Sequence, residues 1–163
     1  MNRRTTLTLT SMASLFLAAI LAAAVPKIGL EQNHPLIGTW KLSIAKSTLA
    51  APLRSQIVTF AGQGQNLTNT AETIDAKGRV SKAMDVHIYD GKPHPTAGNP
   101  NYDSTAYTRI NANTVNYVRF RDGKSVETGS IVVSADGKTY TATAEGTTVS
   151  GQQYSTISVY DRQ

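Results

Sequence analysis

The sequence predicts an all-β protein: an antiparallel up-and-down barrel of eight to nine strands, spanning residues 36–163. Three observations carry this. Short runs rich in threonine, valine and tyrosine recur from Gly38 onward, with no convincing long helical period between them. Turn dipeptides punctuate the runs, among them Asp122-Gly123 and Asp136-Gly137. The stretch Leu36–Ile44 holds the only tryptophan, and Trp40, Leu42 and Ile44 alternate there with Thr39, Lys41 and Ser43. A strand so patterned has one apolar face, and its tryptophan can plug one end of a barrel.

Taken in order, the first strand is Gly38–Ala45. Gly38 precedes the tryptophan because the backbone must turn sharply into the barrel floor. Lys46–Arg54 is a link with room for a single helical turn before Pro52. Ser55–Ala61 is the second strand, Gly62–Gln65 a turn, and Asn66–Ile74 the returning strand. Asp75–Gly78 turns the chain into Arg79–Tyr89, where Val80, Met84, Val86 and Ile88 share one face and read as its core side, leaving Asp85 and His87 toward solvent. Lys92–Asp103, with three prolines, reads as a long ordered loop. Ser104–Asn111 and Thr114–Arg121 flank a tight turn, and Lys124–Ser134, Lys138–Glu145 and Gln152–Tyr160 complete the meander. Only Lys46–Arg54 and Lys92–Asp103 are long enough to cross over, so hairpin-linked closure is favoured over a two-sheet sandwich.

Residues 1–24 read as a secretory signal peptide: a basic start at Arg3 and Arg4, an apolar run densest from Met12 to Val25, and the small-residue site Ala22-Ala23-Ala24. The clean apolar run falls short of the roughly 20 residues a membrane span needs, so no stable span is expected after cleavage. The expected destination is the periplasm or the extracellular space. Residues 25–35 read as a flexible leader in which His34 is solvated. The 163-residue chain has no cysteine, which excludes disulfides and a lipid-modified cysteine, so the core alone must hold the domain. The net charge of +5 falls to about +3 once Arg3 and Arg4 are lost, and the basic residues are scattered; nucleic acid is therefore not an expected partner.

The motifs together resemble a known family. Leu36-Ile37-Gly38-Thr39-Trp40-Lys41-Leu42 is similar to the Gly-x-Trp opening of the calycins, which include lipocalins and fatty-acid-binding proteins, and Ile157–Tyr160 is similar to the last strand of the fatty-acid-binding branch. Ala45-Lys46-Ser47, Tyr89–Lys92, Gly98–Pro100 and Arg109–Thr114 add a likeness to small secreted bacterial lipocalin-like proteins of unassigned function. The resemblance implies a barrel that binds a small apolar or amphipathic ligand. It also implies a late arginine packed across the tryptophan, for which Arg162 and Arg121 are the candidates beside Gly38 and Trp40. Where fatty-acid-binding proteins carry a carboxylate-holding arginine two residues before the tyrosine, this chain has Ser158.

Candidate ligand-binding residues are Tyr107, Arg109, Tyr117, Arg119 and Tyr160. Tyr117 and Arg119 share a strand face; turned inward they could hold an acidic or polar group, but an unpaired arginine inside a barrel is costly, which favours the outward reading. Tyr107 and Arg109 pose the same question one strand earlier. Asp85, His87, Asp90, His94 and Asp103 fall within 20 residues, yet their spacing fits no metal signature, so neither metal nor cofactor is expected. No nucleophile or phosphate-loop motif is present, which ranks acid–base catalysis by Asp85, His87 or His94 below a binding role. The alternative to a carrier is a filled barrel serving as a non-catalytic structural or interaction protein of the cell envelope.

Overall fold

Trp40 is fully buried and sets one end of the molecule. The structure is a computed structural model that describes residues 34–63 and 66–163. The signal-peptide reading of residues 1–24 and most of the leader lie outside the described residues, as does the tip of the Gly62–Gln65 turn.

Ten strands form a closed barrel: β1 Gly38–Leu42, β2 Leu53–Gln63, β3 Asn66–Asp75, β4 Val80–Ile88, β5 Pro93–Ala97, β6 Ser104–Arg109, β7 Thr114–Arg121, β8 Lys124–Val133, β9 Thr139–Thr147 and β10 Gln153–Arg162. Each strand pairs with its sequence neighbour, and β1 closes the ring on β10 with Trp40 opposite Arg162 and Leu42 opposite Tyr160. Closure leaves no exposed sheet edge. A 3₁₀ turn, Ile44–Lys46, follows β1. Asp122 and Gly123 both take positive φ, the geometry of a type I′ hairpin turn.

The strand beyond the expected eight to nine is β5, which occupies the segment read as a loop. Pro93 and Pro95 cannot donate ladder hydrogen bonds, and β5 accordingly pairs with only two residues of β4 and three of β6.

The facing of β4 is the reverse of the expectation. Asp85 and His87 are buried, whereas Val80 and Met84 are 61% and 46% exposed. The outer wall of a barrel can carry apolar side chains half exposed, while the inner wall here is built for hydrogen bonding, so hydrophobicity does not mark the inward face.

The closed end is held by a cluster including Leu36, Trp40, Phe60, Leu67, Val115, Val133 and Tyr140. The Trp40 indole donates to Leu36 O (2.8 Å) and meets the Tyr140 ring edge-on at 5.0 Å. The Arg162 guanidinium lies 4.0 Å over the indole and donates to Ile37 O (2.7 Å), Pro35 O (2.6 Å) and Gly137 O (2.6 Å). One arginine thus ties two further chain segments, Pro35–Ile37 and the β8–β9 turn, to the tryptophan plug. Gly38 makes room for it: φ is +130°, and a Cβ there would sit 2.7 Å from Arg162 Nη1. Gly38→Ala is expected to cost about 1–3 kcal/mol, read as a lowered urea midpoint with unchanged slope.

His34 is buried rather than solvated. Its ring stacks on Tyr89 at 5.4 Å, Leu36 N–H donates to Nδ1 (3.3 Å), and Nε2–H is then free to donate to the Tyr89 hydroxyl (3.0 Å).

Candidate functional site

Above the closed end the barrel encloses a cavity of about 480 Å³ that opens between the loops at the other end. Its walls differ in chemistry. Tyr102, Tyr107, Tyr117, Tyr140, Tyr154 and Tyr160 supply aromatic surface, while Ala71, Ala83, Ala142 and Ala144 leave the space unfilled. Six of the seven tyrosines of the chain therefore face one cavity.

A polar belt crosses the inner wall, strand by strand. Thr105 and Thr96 hydroxyls meet at 3.0 Å, and Thr96 in turn donates to Asp85 Oδ1. Tyr107 donates to the other Asp85 oxygen at 3.1 Å. Thr105 stands opposite Arg119, and Arg119 opposite Glu127. Arg119 Nη1 donates to Glu127 Oε1 at 2.6 Å, and the Tyr154 hydroxyl donates to Glu127 Oε2. The guanidinium lies 4.2 Å from the Tyr102 ring centre and 4.7 Å from that of Tyr117. Burial works to lower the Arg119 pKa, but the phenols of Tyr102 and Tyr117 and the Glu127 carboxylate outweigh it, so the group is held well above its ordinary value. Arg119 Nε is buried with no partner.

This is why Tyr117 and Arg119 turn inward against the sequence expectation. The cost foreseen was that of an unpaired cation, and Glu127 with two aromatic faces removes it. The pairing depends on a register shift: Arg121 opposes Lys124 and Phe120 opposes Ser125, but Arg119 opposes Glu127 rather than Val126.

Two strand glycines let tyrosines lie across their neighbours. A Cβ on Gly129 would sit 2.5 Å from the Tyr117 hydroxyl, which donates to Thr143 O (3.2 Å). A Cβ on Gly146 would sit 2.7 Å from both the Tyr154 hydroxyl and Val126 O. Gly146→Val is expected to push Tyr154 off Glu127 and to cost about 1–3 kcal/mol. Adding Tyr154→Phe should then cost little further, a non-additivity measured by a double-mutant cycle in urea.

Beneath the belt, His87 stacks on Tyr107 with ring centroids 3.7 Å apart. Asn69 Nδ2 lies 3.2 Å from His87 Nε2, so a neutral ring accepts there and carries its proton on Nδ1, which is buried without a partner. Burial, and then the neighbouring His34 and Arg119 charges, push the His87 pKa down to about 3. Burial and the Arg109 charge push that of His34 down to about 4.

The structure brings Tyr107, Tyr117, Arg119 and Tyr160 together on the cavity wall. Tyr160 stacks on Tyr140 at 4.4 Å and donates to Gln56 Oε1. Arg109 does not line the cavity: it donates to Asn111 O and Ala112 O, 3.2 Å each, fixing the β6–β7 turn. Of the two arginines considered for the plug, Arg162 lies on Trp40, whereas Arg121 sits at the other end and donates to Pro100 O (2.9 Å), tying the β5–β6 loop to β7. Glu127, Tyr102 and Tyr154 were not among the sequence candidates, and Asp85 was considered there only for a metal or for acid–base work. His94 bonds Asp90 at 3.0 Å, and no group of three or more potential metal ligands is assembled among the described residues.

No protein-family profile matches the chain, and no curated protein matches it. Solved structures do match. The zebrafish ileal bile acid-binding protein, complexed with cholic acid, is 10% identical with a TM-score of 0.53, over 79% of this chain and 99% of that one. Rv2717c from M. tuberculosis is 16% identical with a TM-score of 0.49, over 79% and 93%. A redesigned β-barrel is 14% identical with a TM-score of 0.44, over 79% and 92%. What the chain shares with the zebrafish protein is the fold, a closed antiparallel barrel.

Proposed function

We propose that this protein is an exported lipocalin-like carrier that holds one small amphipathic molecule inside its barrel. The observation that carries this reading is the cavity of about 480 Å³, lined by aromatic rings and small side chains with a few placed polar groups. Such a space speaks against the filled-barrel alternative. The same fold in the zebrafish protein accommodates cholic acid, which supports a small-molecule role for this architecture. Export rests on the basic start, apolar run and small-residue site of residues 1–24, and the periplasm or extracellular space is the proposed location.

A neutral, flat, solvatochromic dye tests the reading. Nile red is expected to show saturable, single-site fluorescence enhancement with the protein, abolished when Ala142→Trp fills the cavity. Absence of enhancement, or enhancement indifferent to both Ala142→Trp and Ala71→Trp, overturns it.

A further inference from the structure

The charged residues that line the cavity are Asp85, Arg119 and Glu127. The Arg119 charge is already committed: Glu127 takes an N–H at 2.6 Å, and the rings of Tyr102 and Tyr117 lie over the guanidinium. Asp85 is 4% exposed and, among the described residues, has no cationic partner within 4.0 Å. Its two oxygens accept from the hydroxyls of Thr96 and Tyr107, Thr96 is itself next to Thr105, and the Asn69 amide stands opposite on β3. Both carboxyl oxygens thus meet hydroxyl groups of the cavity wall. A carboxylate has about four acceptor positions, so two hydroxyls do not saturate it. The cavity thus holds two carboxylates against one guanidinium in a wall otherwise made of phenols, amides, and apolar or small side chains. An incoming carboxylate would meet that excess negative charge, and the one guanidinium, which keeps an unpartnered Nε–H, is already neutralised by Glu127. An incoming cation would find both a counter-charge and electron-rich ring faces.

We infer that the ligand carries a cationic head, a protonated amine or similar N–H donor, on a flat apolar body, and that Asp85 receives the head while the tyrosines receive the body. This inference rests on the carrier reading and names its ligand class.

The test uses three probes with a shared body and different heads: 1-naphthylmethylammonium, 1-naphthylmethanol and 1-naphthylacetate, titrated calorimetrically at neutral pH into the unmodified protein and into Asp85→Asn. The ammonium is expected to bind at least about tenfold tighter than the alcohol, the scale of one charge-assisted hydrogen bond, with the acetate weakest. In Asp85→Asn the gap between ammonium and alcohol should close. Acetate binding as tightly as the ammonium would overturn the cationic assignment while leaving a carrier in place. Equal ammonium affinity in Asp85→Asn would overturn the role of Asp85. No binding of any head, joined with no Nile red signal, would sink the carrier reading and this inference with it. The ranking in the unmodified protein decides the charge preference even if Asp85→Asn does not fold.

Discussion

Glu127→Ala is expected to destabilise the barrel by about 3–5 kcal/mol, because it strands a guanidinium that no other carboxylate among the described residues reaches. Arg119 has 23% of its side chain exposed and Glu127 only 8%, so water compensates the loss poorly. The Tyr154 hydroxyl loses its acceptor in the same step. The cost arises from the unpaired charge rather than from the net worth of the pair. Replacing both partners with apolar residues of similar volume, Arg119→Met with Glu127→Leu, should therefore recover most of the lost stability. Urea unfolding of the two variants beside the parent measures both numbers. A loss below about 1 kcal/mol for Glu127→Ala would mean the pair behaves as an exposed surface pair.

Acid is expected to unfold this protein from pH 6.5 downward, well above the range in which carboxylates protonate. His87 and His34 are held to about 3 and about 4 in the folded state, against the ordinary value of 6.5. Between those values the unfolded chain binds protons that the folded chain refuses, so stability rises with pH. The contribution of neutral burial is fully present above pH 6.5 and is lost as pH falls toward the folded-state values. Each histidine then removes about 1.4 kcal/mol per pH unit, or about 2 kcal/mol between pH 6.5 and 5. Chemical denaturation at stepped pH reads the slope. His87→Asn should flatten it by about one proton's worth, and a slope unchanged by both His87→Asn and His34→Asn would contradict the assignment.

Much of the fold is legible in the sequence, and the closed end most of all. Gly38, Trp40 and Arg162 are tied by covalent geometry and ring electrostatics, so few residue types serve there. Asp122-Gly123 announces its own backbone, with both residues at positive φ. The β5 strand is hidden because prolines signal loops, and it forms only where few ladder bonds are asked of it. The inner wall is hidden for a different reason. Periodicity separates two faces of a strand but says which is inward only when the interior is apolar. On β4 the interior position belongs to Asp85 and His87, satisfied by Thr96, Tyr107 and Asn69 from three other strands. The partner of Arg119 is hidden by the shift in the β7–β8 ladder: counting outward from the Asp122-Gly123 turn arrives at Val126, and the extra residue brings Glu127 instead. Glycines at 129 and 146 read as weak points of strands, yet each makes way for a tyrosine.

Native mass spectrometry tests the central claim most directly, on protein expressed with residues 1–24 in place in an exporting bacterial host and recovered without detergent. The expected result is a mature chain beginning near Val25 that carries one small molecule, or takes one up from a cell extract, and releases it on denaturation. A clean unliganded mass that stays unchanged after exposure to lipid and metabolite extracts would contradict a carrier, and a chain retaining residues 1–24 would contradict its export.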